Sequence, residues 1–336
     1  VNKVLLNPTS KANADDVLRV ADDAGLRDHT IFQTSGSTGA PKFVCLSQAA
    51  LETSARAVNA FLYATSDDTW LLALPDFHVG GHSIRVRAKL SNSAVITLSG
   101  KWSVDQFMNV AKTATLVSLV PTQLFDLIEA SKNSPPGLRA VIVGGGRLSP
   151  DLRERGNTLG WPVVETYGMT EAASQIACEG TILPIWKTRT DDSGRLSISG
   201  GALFSGYITG DDFLPSNEWF QTSDIVEIKD KHIRFIGRID DTVKVLGELV
   251  SIPQLEADLP PNCAIVPRPN PRTEHELILV YENSVENPEA ALTQFNNSHA
   301  GFERLTRVIR IANLPRSPLG KLQRTELQKR VFLLLG

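Results

Sequence analysis

The chain has 336 residues, 42 % of them hydrophobic and 21 % charged, with a formal net charge of −3. That length exceeds one compact domain, so two folded units are expected. The charge gives no electrostatic footprint for nucleic acid or an anionic membrane, and the longest apolar runs, Trp70–Pro75 and Val331–Leu335, are far too short to span a bilayer.

In chain order, short β-branched runs alternate with helical patterns over the first ~230 residues, the signature of a layered α/β fold. Strands are expected at 29–33, 43–46, 69–74, 94–98, 115–120, 139–143 and 163–166, with helices at 48–63, 104–112, 122–131 and 150–157. Several of these strands are apolar throughout, as in a parallel sheet covered on both faces. A β-rich stretch follows at 195–199, 225–228 and 232–236. From Ile239 a smaller α+β unit is expected, with strands at 242–245, 264–266, 277–281 and 307–311 and helices at 253–258, 288–297 and 323–332. The reading is therefore a large α/β domain, 1–238, and a small C-terminal domain, 239–336. Val1–Lys11 lacks the order of a secretory signal. Cys45, Cys178 and Cys263 lie far apart with no CxxC pair, which reads as reduced cysteine in a cytoplasmic protein.

One segment carries distinctive chemistry. Thr34-Ser35-Gly36-Ser37-Thr38-Gly39-Ala40-Pro41-Lys42 follows one expected strand and precedes another. Its glycines permit positive φ and close approach by a bulky anion. The hydroxyls and backbone N–H groups can form an anion nest, and Lys42 adds positive charge. The orders GxxxxGK[ST] and GxGxxG are both absent, so the loop suggests phosphate while excluding the two commonest phosphate-binding families.

This string resembles the phosphate loop of the acyl-adenylate-forming superfamily, and further motifs follow in the family's order. Tyr167-Gly168-Met169-Thr170-Glu171 resembles YGxTE. Thr222-Ser223-Asp224 resembles TGD, with serine for glycine. Gly237-Arg238-Ile239-Asp240-Asp241-Thr242-Val243-Lys244 resembles GRxDDxxK, followed by Gly247-Glu248. Pro315-Arg316-Ser317-Pro318-Leu319-Gly320-Lys321-Leu322-Gln323-Arg324 resembles PxTxxGKxxR.

The resemblance implies ATP, Mg²⁺ and coenzyme A as reactants: a carboxylate attacks the α-phosphate, pyrophosphate leaves, and a thiol then displaces AMP. It places the loop at the β/γ-phosphates, Thr170 at the α-phosphate and Glu171 on Mg²⁺, a hard cation suited to carboxylate oxygen. Tyr167 would lie against adenine, with Gly144, Gly145 and Gly146 either admitting that ring or making a tight strand-to-helix turn. Asp224 would accept from the ribose hydroxyls, assisted by Arg238. Lys321 would bridge the acid and the α-phosphate, a charge whose removal costs on the order of 10²–10³ in rate. Asp240 would be the hinge of a mobile C-terminal domain, and Gly247 would line the coenzyme A tunnel.

The block Leu74–Ile84, with Leu119–Leu124 and Val143–Gly146, is most similar to o-succinylbenzoate–CoA ligases of menaquinone biosynthesis. By that resemblance His78 and Gly81 wall the acyl pocket and Arg87 binds a substrate carboxylate, a task suited to a planar guanidinium. The rival reading makes Arg85, Arg87 and Lys89 one solvated face, which their i, i+2, i+4 spacing does not favour. Only 33 residues precede the phosphate loop, fewer than in most relatives; self-association into a homo-oligomer could cover apolar surface left open there. Two alternatives follow: another aryl- or fatty-acyl-CoA ligase or stand-alone adenylation enzyme, and a shortened relative that binds nucleotide without turnover.

Overall fold

A computed structural model of the protein describes residues 1–34, 42–316 and 322–335. The chain divides into two compact units, Val1–Arg189 with Ser197–Thr222 and Ile228–Ile233, and Thr190–Leu196 with Ser223–Glu227 and Arg234–Gly336.

The elements run β1 (Lys3–Leu5), α1 (Ala14–Asp23), β2 (His29–Thr34), β3 (Lys42–Ser47), α2 (Gln48–Leu62), β4 (Thr69–Leu72), α3 (Val79–Ser91), β5 (Ala94–Thr97), α4 (Val104–Val110), β6 (Leu116–Leu119), α5 (Pro121–Glu129), β7 (Ala140–Val143), α6 (Pro150–Thr158) and β8 (Val163–Met169). Then come β9 (Ser174–Cys178), β10 (Thr181–Ile182), β11 (Trp186–Thr190), β12 (Arg195–Gly200), β13 (Gly206–Thr209), β14 (Asp212–Pro215), β15 (Phe220–Lys229) and β16 (His232–Arg238). The remainder is β17 (Thr242–Val245), β18 (Glu248–Ser251), α7 (Ile252–Glu256), β19 (Cys263–Asn270), β20 (Glu274–Glu282), α8 (Pro288–Ser298), β21 (Leu305–Ile311) and α9 (Arg324–Leu335).

In the first unit, β5, β4, β6, β7 and β8 pair in parallel, and β9 closes antiparallel on β8. Alternate residues of these strands face opposite sides. Leu71, Val117, Leu119, Val141 and Val143 pack on Phe107 of α4, Leu124, Leu127 and Ile128 of α5, and Trp161. On the other side α3 lies over β4, β6 and β9. A second sheet, ordered β1-β2-β3-β13-β14, carries α1 through Val17, Val20 and Ala21 against Ile31, Phe43, Cys45 and Ile208. The helix starts are set locally. Ser47 and Ser149 accept from Ala50 N and Leu152 N, and Pro121 and Pro150 open α5 and α6 where no N–H partner is needed.

In the second unit, β19, β20 and β21 form one sheet, and the period of two splits its core into two layers. Ile265, Leu277 and Leu279 pack on Leu255 of α7 and Phe295 of α8, whereas Ala264, Val266, Ile278 and Val280 pack on Leu327 and Val331 of α9.

The expected mixed α/β architecture is observed. The region from β9 to β14 holds more strand than expected, because Ser174–Cys178 is fully buried and shows no alternation. The β13–β14 hairpin turns at Gly210-Asp211, with Thr209 opposite Asp212. Helix α1 lies outside the expected elements.

Candidate active site

The expected phosphate loop is bracketed by β2 and β3, whose antiparallel register ends at Thr34 opposite Lys42; Thr34 Oγ1 donates to the Lys42 carbonyl at 3.2 Å. Ser35, Gly36, Ser37, Thr38 and Gly39 lie outside the described residues. Lys42 is half-buried, with Nζ 5.7 Å from the Tyr207 ring centroid.

Tyr167, Gly168 and Met169 end β8, and Thr170 and Glu171 occupy a single 3-10 turn into β9. The turn is tight: a Cβ on Gly168 would lie 1.7 Å from the Ser174 carbonyl oxygen, so only glycine lets the two strands meet there. Glu171 accepts from the Tyr207 hydroxyl at 2.7 Å, and its carbonyl accepts from the Phe204 N–H at 2.9 Å. Gly144, Gly145 and Gly146 follow β7. A Cβ on Gly144 would meet Thr166 Oγ1 at 2.5 Å, and Gly145 has φ +75, so strand packing and the turn each explain one of these glycines. Gly146 would carry a Cβ at ordinary contact distance from Pro121.

Helix α3 holds the acid-pocket candidates. His78 sits at its N-cap, with its ring 4.5 Å from that of Phe77, and burial pushes its pKa down. Gly81 is buried, and a Cβ there would strike the Pro75 carbonyl oxygen at 2.2 Å. Arg85 and Arg87 part company. Arg85 grips Asp76 at the surface, with Nη2 2.6 Å from Oδ2. Arg87 has no exposed surface. Its Nη2 bonds Gln175 Oε1 and reaches Ser174 Oγ at 3.3 Å, and its guanidinium lies 5.7 Å from the Trp70 ring centroid. Among the described residues Nε and Nη1 have no hydrogen-bond partner, nor do the buried Trp70 Nε1 and Ser118 Oγ. Burial lowers the guanidinium pKa to about 10, so it stays charged at neutral pH. A buried cation with two unused donors is costly in isolation and suited to an incoming carboxylate.

In the second unit, Asp224 on β15 is 5 % exposed and lies 3.4 Å from Arg238 Nη1. Asp240 lies in the 3-10 turn Ile239–Asp241. Gly247 makes the β17–β18 turn with φ +84, and its N–H donates to Glu274 at 2.7 Å. Lys321 lies outside the described residues; on either side, Arg316 bridges to Leu322 and Gln323 N donates to the Pro315 carbonyl at 2.8 Å. Arg324 binds Glu256 at 2.6 Å and Asp241 at 3.1 Å, tying the start of α9 to α7 and that turn.

The family described as AMP-binding enzyme matches residues 9–207, more than half of the chain. The protein is an AMP-binding enzyme. A probable 2-succinylbenzoate–CoA ligase of Mycobacterium tuberculosis is 28 % identical over 346 residues, covering 96 % of this chain and 90 % of that protein. The 2-succinylbenzoate–CoA ligase of Staphylococcus epidermidis is 27 % identical over 328 residues, covering 89 % and 69 %. Among solved structures, the o-succinylbenzoate CoA synthetase of Bacillus subtilis in complex with the acyl-adenylate intermediate OSB-AMP matches with TM-score 0.78 at 25 % identity, covering 89 % of this chain and 68 % of that one. ATP-bound MatB of Rhodopseudomonas palustris shares the fold, with TM-score 0.81 at 22 % identity and coverage of 91 % and 69 %.

Within this AMP-binding enzyme, several residues beside the expected ones went unread in the sequence. Tyr207 is 36 residues from Glu171, and Gln175 is 88 from Arg87. No spacing rule links such pairs; β13 pairs with β3, which lies beside the turn that carries Glu171, and α3 packs on β9 and so sets Arg87 against Gln175. No described helix is long and apolar enough to cross a membrane.

Proposed function

We propose that this AMP-binding enzyme is an ATP-dependent acid–CoA ligase that works through an acyl-adenylate, with 2-succinylbenzoate as its acid. The observation that carries the acid assignment is Arg87, a fully buried guanidinium with two donor nitrogens unspent among the described residues. A monocarboxylic fatty acid would leave them unspent; an acid with a second carboxylate offers oxygens to both. The two ligases and the adenylate-bound synthetase that the chain resembles are named for the same acid.

In this reading the acid's reacting carboxylate attacks the α-phosphate of MgATP and pyrophosphate leaves. The thiol of coenzyme A then forms the thioester as AMP leaves, and the thiol proton is released. Residues 34–42 hold the β/γ-phosphates, Thr170 the α-phosphate, Tyr167 the adenine, and Asp224 with Arg238 the ribose. Glu171 suits the ion that accompanies ATP, because a carboxylate is a hard oxygen donor. Among the described residues no three His, Cys, Asp or Glu side chains cluster as a metal cage. His78, kept neutral by burial, walls the pocket with Gly81. Lys321 is the adenylation lysine, Asp240 the hinge of a mobile domain over 239–336, and Gly247 part of the coenzyme A path. A cytoplasmic setting fits the free cysteines, of which Cys45 and Cys178 are buried with thiol pKa values pushed up to about 12.

The test is thioester formation from 2-succinylbenzoate, MgATP and coenzyme A, read by mass beside a panel of aryl and fatty acids. The expected product is 2-succinylbenzoyl-CoA, with Lys321→Ala slowing adenylation on the order of 10²–10³-fold. Thioester from another acid alone would overturn the choice of acid. Failure of any acid to drive pyrophosphate exchange into ATP would overturn the ligase reading.

A further inference from the structure

We infer that Tyr207 is a positioning residue for MgATP: its hydroxyl fixes the Glu171 carboxylate while its ring face supports Lys42. This rests on the nucleotide roles proposed above for those two residues.

Tyr207 touches the two charged groups through different parts of one side chain. The hydroxyl lies 2.7 Å from Glu171 Oε1, and the ring centroid lies 5.7 Å from Lys42 Nζ. An ionised carboxylate only accepts, so the phenol donates, and the second carboxylate oxygen is left for the ion. The ring face, negative in its quadrupole, attracts the ammonium without neutralising it as a carboxylate would. That contact leaves the Lys42 ammonium available to phosphate.

The tyrosine is itself held on several sides. Its backbone is in β13, where Tyr207 stands opposite Val44 of β3, two residues beyond Lys42. The Phe204 ring lies 4.7 Å from it and the Phe220 ring 6.5 Å. Phe204 also donates its N–H to the Glu171 carbonyl at 2.9 Å, so the segment that carries Tyr207 holds both the backbone and the side chain of Glu171. Gly206 makes that close path passable: a Cβ there would lie 2.3 Å from the Leu214 carbonyl oxygen. A group fixed this firmly, and applied to both an acid and a base of the phosphate site, meets the requirement that a charge-stabilising site be set before reaction.

The experiment is calorimetric binding of ATP with Mg²⁺ and in EDTA, on wild type, Tyr207→Phe and Tyr207→Leu. Tyr207→Phe keeps the ring and loses the donor. It should melt with the wild type, bind MgATP about tenfold more weakly and bind metal-free ATP unchanged. Tyr207→Leu also removes the ring under Lys42 and should weaken both forms. In a Glu171→Gln background, Tyr207→Phe should add little, since the donor acts through that carboxylate. Wild-type MgATP affinity in Tyr207→Phe, equal weakening of both nucleotide forms, or a full effect persisting beside Glu171→Gln would each overturn the assignment. A wild type that binds no MgATP would instead refute the nucleotide reading on which it rests.

Discussion

Replacing Arg87 by methionine should separate acid recognition from folding. The guanidinium has no exposed surface, and among the described residues only Nη2 of its three nitrogens is bonded, to Gln175 and Ser174. Nε and Nη1 are buried without hydrogen-bond partners among those residues. The free enzyme therefore bears a desolvation cost that these contacts only partly offset, which is why burial lowers the pKa to about 10. Methionine fills similar length with no charge and no orphan donors. It leaves Gln175 Oε1 and Ser174 Oγ to find other partners, a loss of about 1–3 kcal/mol, against which the recovered desolvation acts. Melting temperature should change little. Acid binding should collapse: removing one partner of a buried, hydrogen-bonded charge pair costs about 2–5 kcal/mol, or roughly 30-fold to several thousand-fold in affinity. The assay is pyrophosphate exchange with 2-succinylbenzoate and with 4-oxo-4-phenylbutanoate, which lacks the second carboxylate. KM for the first acid should rise by that factor in Arg87→Met, and KM for the second should hardly move. The acid at about a hundred times its Kd should also stabilise the wild type by about 2.7 kcal/mol and the variant not at all. Equal KM changes for both acids, or acid-induced stabilisation surviving in Arg87→Met, would refute the reasoning.

Asp68→Asn should destabilise the first unit by about 1–3 kcal/mol at neutral pH. It accepts from Arg139 at 2.8 and 2.6 Å and from Thr115 at 2.7 Å, and Arg139 holds its pKa down to about 2. Because the folded pKa is depressed, this stability is complete above about pH 4 and disappears as pH falls toward 2, so urea midpoints of the two proteins should converge over that window. Arg324→Met should loosen the second unit by about 1.5–3 kcal/mol, since it cuts the bonds to Glu256 and Asp241; faster amide exchange in α9 and α7 is the readout. Gly168→Ala should cost about 3 kcal/mol or more and disable adenylation, because the new methyl would meet the Ser174 carbonyl oxygen; thermal unfolding and pyrophosphate exchange measure the two effects.

The parallel strands of the first unit could be read in the sequence because their residues are apolar on both faces, and Leu71, Val117 and Val141 are indeed fully buried. The strands around Lys42 and the turn at Thr170 and Glu171 were legible through ordered motifs. The hairpin Gly206–Pro215 was not: its turn signal is short, and its partner strand β3 lies over 150 residues earlier in the chain, so nothing local marks the pairing.

By itself, the order of motifs from Thr34 to Arg324 determined the family and the chemistry to be expected, since each motif is a local string whose residue types suit one part of a nucleotide. It also nominated Arg87. Only the tertiary structure decided that Arg87 is buried with donors to spare while Arg85, two residues earlier, is spent on Asp76 at the surface. Only the tertiary structure brought Tyr207 to Glu171 and Lys42. The physical reason is the same in both cases. Residue type and spacing fix what a side chain can do, but desolvation and hydrogen-bond partners depend on which strands and helices meet, and those meetings join residues tens to hundreds of positions apart.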